Sequence, residues 1–147
     1  MNNETKIEYK ILRKTKKLPR ELKDIIFEYI PEKVKIFLNK TLYLANHYLV
    51  RSYIPHDNIE LYYRSLVRQD NNFVFRLILF ENYWRWINIR QYYYKGSIFL
   101  NYLYFIRAYC IENEAIKCIE VINNFFKQVG LEKNLHKKKI IQYIKWM

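Results

Sequence analysis

Two glycines, Gly96 and Gly130, and three prolines, Pro19, Pro31 and Pro55, are all the backbone punctuation that 147 residues contain. A sandwich or barrel of short strands needs a tight turn about every ten residues, and Gly and Pro supply most such turns. The chain therefore reads as all-α. With 51% hydrophobic and 18% aromatic residues it has the apolar material for a core, which a disordered segment of equal charge lacks. At this length one core suffices, so we expect a single helical domain of about seven or eight helices.

Punctuation and hydrophobic period then place the helices. Residues 1–17 hold Lys6, Lys10, Arg13, Lys14, Lys16 and Lys17 against Glu4 and Glu8 without a steady period, and form a basic arm. Pro19 suits the first turn of a helix, Glu21 and Asp24 favour its positive end, and Leu22, Ile25, Ile26, Tyr29 and Ile30 recur at helical spacing. Pro31 ends this helix and opens a second, with Val34, Phe37 and Leu38 on its face; Leu42, Ala45 and Leu49 carry the period to Pro55. Asp57 and Glu60 make a capping-box pattern around a helix facing inward through Ile59, Tyr62, Tyr63, Leu66 and Val67. A turn at Asp70-Asn71-Asn72 precedes a helix with Phe73, Leu77, Phe80 and Trp84 on one buried stripe, and Val74 and Ile78 beside it. The pattern predicts helix from Trp84 to Lys95, with an extended Tyr92-Tyr93-Tyr94 as the alternative, and Ser97 as the cap of a buried helix over 98–111. Asn113 opens the next helix, which carries Cys118, Ile119, Ile122, Phe125, Phe126 and Val129, and Gly130 closes it in the left-handed conformation. A last basic helix, about Asn134–Trp146, buries Ile140, Ile141 and Ile144.

Two stretches echo each other at a spacing of 43 residues: RSLVRQDNNFVFRLIL from Arg64 and RAYCIENEAIKCIEVI from Arg107. Each reads as helix, polar turn, helix. Both resemble the helical hairpin of an ankyrin repeat, although the usual period is about 33 and the Thr-Pro-Leu-His opening is absent. Unrelated helical hairpins are the plainer alternative.

Chemistry-bearing residues do not converge. His47, His56 and His136 lie far apart and make no metal-ligand pattern with Cys110 and Cys118. Two distant glycines cannot build a phosphate loop, and Asp57 beside His56 is explained as a cap. The expectation is a protein that is not an enzyme, with no catalytic residue, metal, cofactor or small-molecule substrate. Along one helix Cys110 and Cys118 would stand about 12 Å apart, beyond disulfide reach, and they read as buried free thiols of a reducing compartment. The polar start MNNETKIEYK predicts no secretory leader. The most apolar run, 98–111, is too short for a bilayer and contains Asn101 and Arg107, so an intracellular protein without a membrane span is expected.

Charge points outward. Lys and Arg number 26 against 14 acidic residues, a net +12, which favours an acidic partner such as nucleic acid. The surplus gathers at the two ends, in Lys14, Lys16, Lys17 and Arg20 and in Lys133, Lys137, Lys138, Lys139 and Lys145. Part of it has a plainer origin, because the abundant Ile, Lys, Asn, Tyr and Phe all have A/T-rich codons. In the middle, Arg76, Trp84, Arg85, Trp86, Arg90 and Tyr92 to Lys95 interleave bases and rings as a single-strand stacking surface would, while Trp84 also fits a core stripe.

The second partner signal is local. Leu18-Pro19-Arg20-Glu21-Leu22, then Ile25-Ile26-Phe27-Glu28-Tyr29-Ile30-Pro31, then Phe37-Leu38-Asn39-Lys40 resembles the start of an F-box over about residues 18–45. Asn39 stands where Cys is common and Tyr43 where Trp is common. The resemblance implies a helical hook that inserts into the Skp1-like adaptor of a ubiquitin ligase through Leu18, Pro19, Leu22, Ile26, Phe27, Ile30 and Pro31. On this division residues 1–17 are the arm, 18–45 the hook, and 46–147 a helical-hairpin region packed with it as one domain. In style and composition the whole chain resembles the small paralogous proteins of large nucleocytoplasmic DNA viruses, which implies host cytoplasm, virus factory or virion as its location. Three expectations follow: an interaction adaptor, a basic virion or nucleoid protein binding DNA or RNA through Lys14, Lys16, Lys17, Arg20 and Lys137–Lys139, or a structural subunit that pairs with copies of itself.

Overall fold

Two prolines and an asparagine cap divide the N-terminal part of the chain into three helices. The computed structural model describes residues 17–131 and 141–143, and these fall into two compact units that divide between Pro55 and His56. In the first unit α1 (Arg20–Tyr29) starts directly after Pro19, with Glu21 in its first turn, and stops at the extended Ile30. Pro31 precedes the single turn of α2 (Glu32–Lys35), where Lys35 Nζ meets Glu32 at 2.7 Å. The side chain of Asn39 accepts the Leu42 N–H at 2.8 Å and so caps α3 (Lys40–Tyr53). Ile36, Tyr43 and Val50 are the buried residues among those described in this unit.

The second unit opens with a 3₁₀ turn at His56–Asn58 and α4 (Ile59–Arg68). Then come α5 (Asn72–Asn88), strands β1 (Arg90–Tyr94) and β2 (Ser97–Asn101), α6 (Tyr102–Glu112), α7 (Ile116–Gln128) and β3 (Ile141–Tyr143). The molecule is thus mainly helical. The expectation of an all-helical chain is corrected by a small antiparallel sheet in the order β1-β2-β3, with Tyr92 opposite Phe99 and Phe99 opposite Ile141. Lys95 and Gly96, both at positive φ (45° and 77°), form the two-residue turn whose twist suits a tight hairpin. The extended alternative for Tyr92–Tyr94 is therefore the observed one, and the helix expected through Lys95 ends at Asn88. Ser97 lies in a strand and does not cap; Asn101 does, accepting the Tyr104 N–H at 3.1 Å. The strand at 141–143 likewise replaces that part of the helix expected over 134–146; the remainder of that helix, with Ile140 and Ile144, lies outside the described residues.

Helical hairpins α4–α5 and α6–α7 pack together, α4 against α6 and α5 against α7. Phe75, Leu79, Trp86, Tyr102, Phe105, Ile122 and Phe126 are fully buried among them. Phe105 is the centre of the aromatic packing, with Tyr92, Tyr94, Phe99, Tyr102 and Tyr109 all within 6 Å ring to ring. Each hairpin turns through a Schellman motif: the Asn71 N–H bonds Leu66 O at 3.0 Å and the Ala115 N–H bonds Cys110 O at 3.0 Å. Asp70 and Glu114 take the left-handed position in these turns, at φ 47° and 52°. Gly130 takes it at the end of α7, at φ 71°, as the sequence predicts.

Several capping assignments change. Asp57 and Glu60 form no capping box: Asp57 lies in the 3₁₀ turn, no side chain caps α4, and Glu60 Oε2 accepts the Tyr92 hydroxyl at 2.8 Å instead. Asn113 does not open α7 but closes α6, its side-chain amide donating to Tyr109 O at 2.8 Å. Val129 lies just past the end of α7 and is exposed, and Ile119 on the helix is only half-buried. Cys110 and Cys118 are buried free thiols, as expected, and burial pushes Cys110 up to about 12 and Cys118 further in the same direction.

Candidate partner-binding surface

The turn-to-turn spacing of α1 sets the character of its surface. Leu22, Ile25, Ile26 and Tyr29 fall on one face of the helix, and every one of them is exposed: 46%, 50%, 48% and 84%. No residue of the ten is buried. Burying an aliphatic side chain gains roughly 1.5–3 kcal/mol relative to leaving it in water, so the three half-exposed aliphatic side chains beside Tyr29 leave part of that driving force unused. Phe27 points elsewhere. It lines a cavity of about 200 Å³ within the first unit, beside Ile36, Leu42, Leu49 and Tyr53, and Lys35 Nζ stands 4.9 Å over its ring.

Of the residues assigned to the hook, Pro19, Leu22, Ile26, Phe27 and Pro31 are exposed, and Leu18 and Ile30 are half-buried. Leu22 and Ile26 share the open face with Ile25 and Tyr29; Phe27 lies on the other side of the helix, beside the cavity. The hook residues thus do not lie on one face. Val34, Phe37 and Leu38 extend the exposed apolar surface beyond α1.

The basic residues are less fully placed. Lys17 and Arg20 are exposed, and Arg20 pairs loosely with Asp24 at 3.9 Å, a surface contact of little energetic weight. Lys14, Lys16, Lys137, Lys138 and Lys139 lie outside the described residues. The interleaved stretch from Arg76 to Lys95 splits between surface and core. Trp84, expected to pack inward with Phe73, Leu77 and Phe80, is 67% exposed, and Trp86 is the core ring at 1%. The helix is apolar on nearly all sides, so periodicity offered two faces, and burial selects Val74, Phe75, Ile78, Leu79 and Trp86. On the outer face Arg76 sits 5.9 Å from the centre of the Phe80 ring.

Among the described residues no group of His, Cys, Asp and Glu could hold a metal ion, and no helix is long and apolar enough to cross a membrane. No protein-family model matches the chain, and neither a curated protein nor a solved structure matches it.

Proposed function

We propose that this chain is a non-enzymatic protein–protein interaction module in which α1 is the docking element. The observation that carries the reading is the α1 face itself: Leu22, Ile25, Ile26 and Tyr29 exposed together on a helix with no buried residue. A contiguous apolar face on a surface helix marks an interaction site. Its residues lie inside the stretch that resembles an F-box, so the partner we assign is a Skp1-like helical adaptor, met in host cytoplasm or a virus factory. The two hairpins of the second unit, which resemble ankyrin hairpins in turn and helix order, serve on this reading to hold the recruited target.

Affinity capture of the intact protein from host lysate, with and without nuclease and at two salt concentrations, tests the assignment. Recovery of the adaptor in all four conditions, and its loss with Ile26→Asp, is the expected outcome. The net charge of +12 favours a second reading, a basic virion or nucleoid protein binding DNA or RNA. Nuclease-sensitive recovery without the adaptor, weakening steeply with salt, would replace the first reading by the second. Recovery of this chain alone would point to self-assembly.

A further inference from the structure

The apolar stripe of α5 that its period assigns to the core lies largely outside it, along an open groove. Trp84 and Phe80 are 67% and 47% exposed, and Phe73 and Leu77 are half-buried. Two hollows that share Arg76 and Phe80 run together here. One, of about 430 Å³, is lined by Phe73, Arg76, Leu77 and Phe80; the other, of about 180 Å³, reaches α7 at Val121, Asn124, Phe125 and Gln128. Phe80 stands edge-on to Phe125 at 5.4 Å between ring centres, so the seam between the helices is packed while half of the Phe80 surface still faces out.

The polar groups along this groove have few partners. Arg76 is exposed, lies 5.9 Å from the centre of the Phe80 ring and pairs with no carboxylate among the described residues. No acidic residue among those described lines either hollow. Asn124 and Gln128, one turn apart on α7, are exposed, and neither side chain makes a hydrogen bond among the described residues. A nucleic-acid strand brings a negative charge with every nucleotide, and a single lining arginine answers only one of them. A second copy brings the same arginine and a further net charge of +12. A peptide with a carboxylate beside a large apolar side chain matches what is present. The guanidinium takes the carboxylate through two parallel hydrogen bonds, and Arg and Trp are the residues on which interface energy concentrates. The two amides suit the N–H and C=O groups that an extended backbone leaves free and a helix uses internally. From Phe73 to Trp84 the helix rises about 16 Å, the reach of roughly five extended residues. We infer that this groove holds an extended acidic and apolar peptide segment of the recruited target, its carboxylate on Arg76 and its apolar side chain against Leu77 and Phe80. The inference rests on the reading of the hairpins as the part that holds the target, and gives that target its chemistry.

Selection of random displayed peptides on the full chain, followed by titration of the enriched peptides in fluorescence anisotropy, tests the groove. Enriched sequences should place Asp or Glu close to Phe, Leu or Trp and bind one to one. Arg76→Glu should weaken them at least about tenfold. Lys127→Glu, the same change of net charge at an exposed site of α7 outside the groove, should leave affinity within about twofold. Trp84→Ala and Asn124→Ala should each weaken binding about threefold to tenfold. Ile26→Asp should leave the peptides bound while it abolishes recovery of the adaptor, so the groove and the α1 reading fail separately. The inference is overturned if no peptide is enriched, if the enriched peptides lack a carboxylate, or if Arg76→Glu and Lys127→Glu act alike. A single-stranded oligonucleotide that binds more tightly than any peptide and is lost with Arg76→Glu would give the groove to nucleic acid, and a dimer lost with Arg76→Glu would give it to a second copy; either overturns the inference.

Discussion

The two helical hairpins share one turn and differ in which equivalent positions they bury. Leu66–Asn71 and Cys110–Ala115 make the same pair of Schellman bonds, and Asn71 and Ala115 open their second helices with nearly the same torsions, φ −78° in both and ψ 75° and 76°. In the first hairpin Val67, Phe75 and Leu79 are at most 1% exposed. Their counterparts in the second, Ile111, Ile119 and Asn123, are exposed or half-buried, and Asn123 is tied to Arg107 by a 3.0 Å hydrogen bond. At these positions the first hairpin is closed and the second is more open and more polar, although α6 itself is buried over most of its length. The same backbone turn serves both hairpins because side chains, not the turn, decide which positions are buried.

Substitutions at paired positions can break that comparison. The largest contrast is expected between Leu79→Ala, which should cost about 2–5 kcal/mol of unfolding free energy by opening the core, and Asn123→Ala, which should cost under about 1 kcal/mol. Denaturant titration of the two variants measures it, and similar losses would mean that the two equivalent positions carry the same packing load. Next is the pair in the left-handed position. Asp70 Oδ1 accepts the Cys118 N–H at 2.9 Å and Oδ2 the Lys117 N–H at 3.2 Å, so this turn caps α7, whereas Glu114 is exposed. Asp70→Ala should cost about 1–2 kcal/mol and Glu114→Ala less than about 0.5 kcal/mol.

The same carboxylate carries a pH signature. Burial works against ionisation of Asp70, but the two backbone donors outweigh it and hold its pKa below the ordinary aspartate value. A depressed folded pKa means that the contribution is complete above roughly pH 5 and is lost as pH falls through the folded value. The acid limb of the stability profile should therefore be shallower in Asp70→Asn than in the parent protein. The smallest effects come from glycine. Glu114→Gly should stabilise by about 0.5–1 kcal/mol, because positive φ is strained for a side chain, while Asp70→Gly should destabilise by losing the cap. Opposite signs at equivalent φ would confirm the division of roles, and equal signs would remove it.

Local chemistry made much of the fold legible in advance. Pro19 and Pro31 bracket α1, Asn71 caps α5 with a 3.3 Å bond to the Val74 N–H, and Gly130 ends α7. The echo between the hairpins is real as a turn geometry, one residue away from the register that the aligned arginines, Arg64 and Arg107, imply. The β-hairpin was obscured because Tyr92–Tyr94 is aromatic without a break and Lys95-Gly96 is a less familiar hairpin turn than Asn-Gly. Asn101, an Asx residue just ahead of an apolar run, was the signal that could have displaced Ser97 as the cap. At the sites, the α1 stripe follows from its period alone. The Glu60–Tyr92 contact does not, since the two meet across 32 residues and no sequence spacing encodes that.

The Asp70 bridge also bears on how the second unit comes apart. It joins the turn of one hairpin to the first amides of a helix 47 and 48 residues further on. Helix ends ordinarily fray, and their amide protons exchange with solvent through brief local openings. At Lys117 and Cys118 that route also requires breaking the bonds to the Asp70 carboxylate on the other hairpin. Their amides should therefore exchange as slowly as those in the middle of α7, which would make the start of this helix report on cooperative opening of the whole unit.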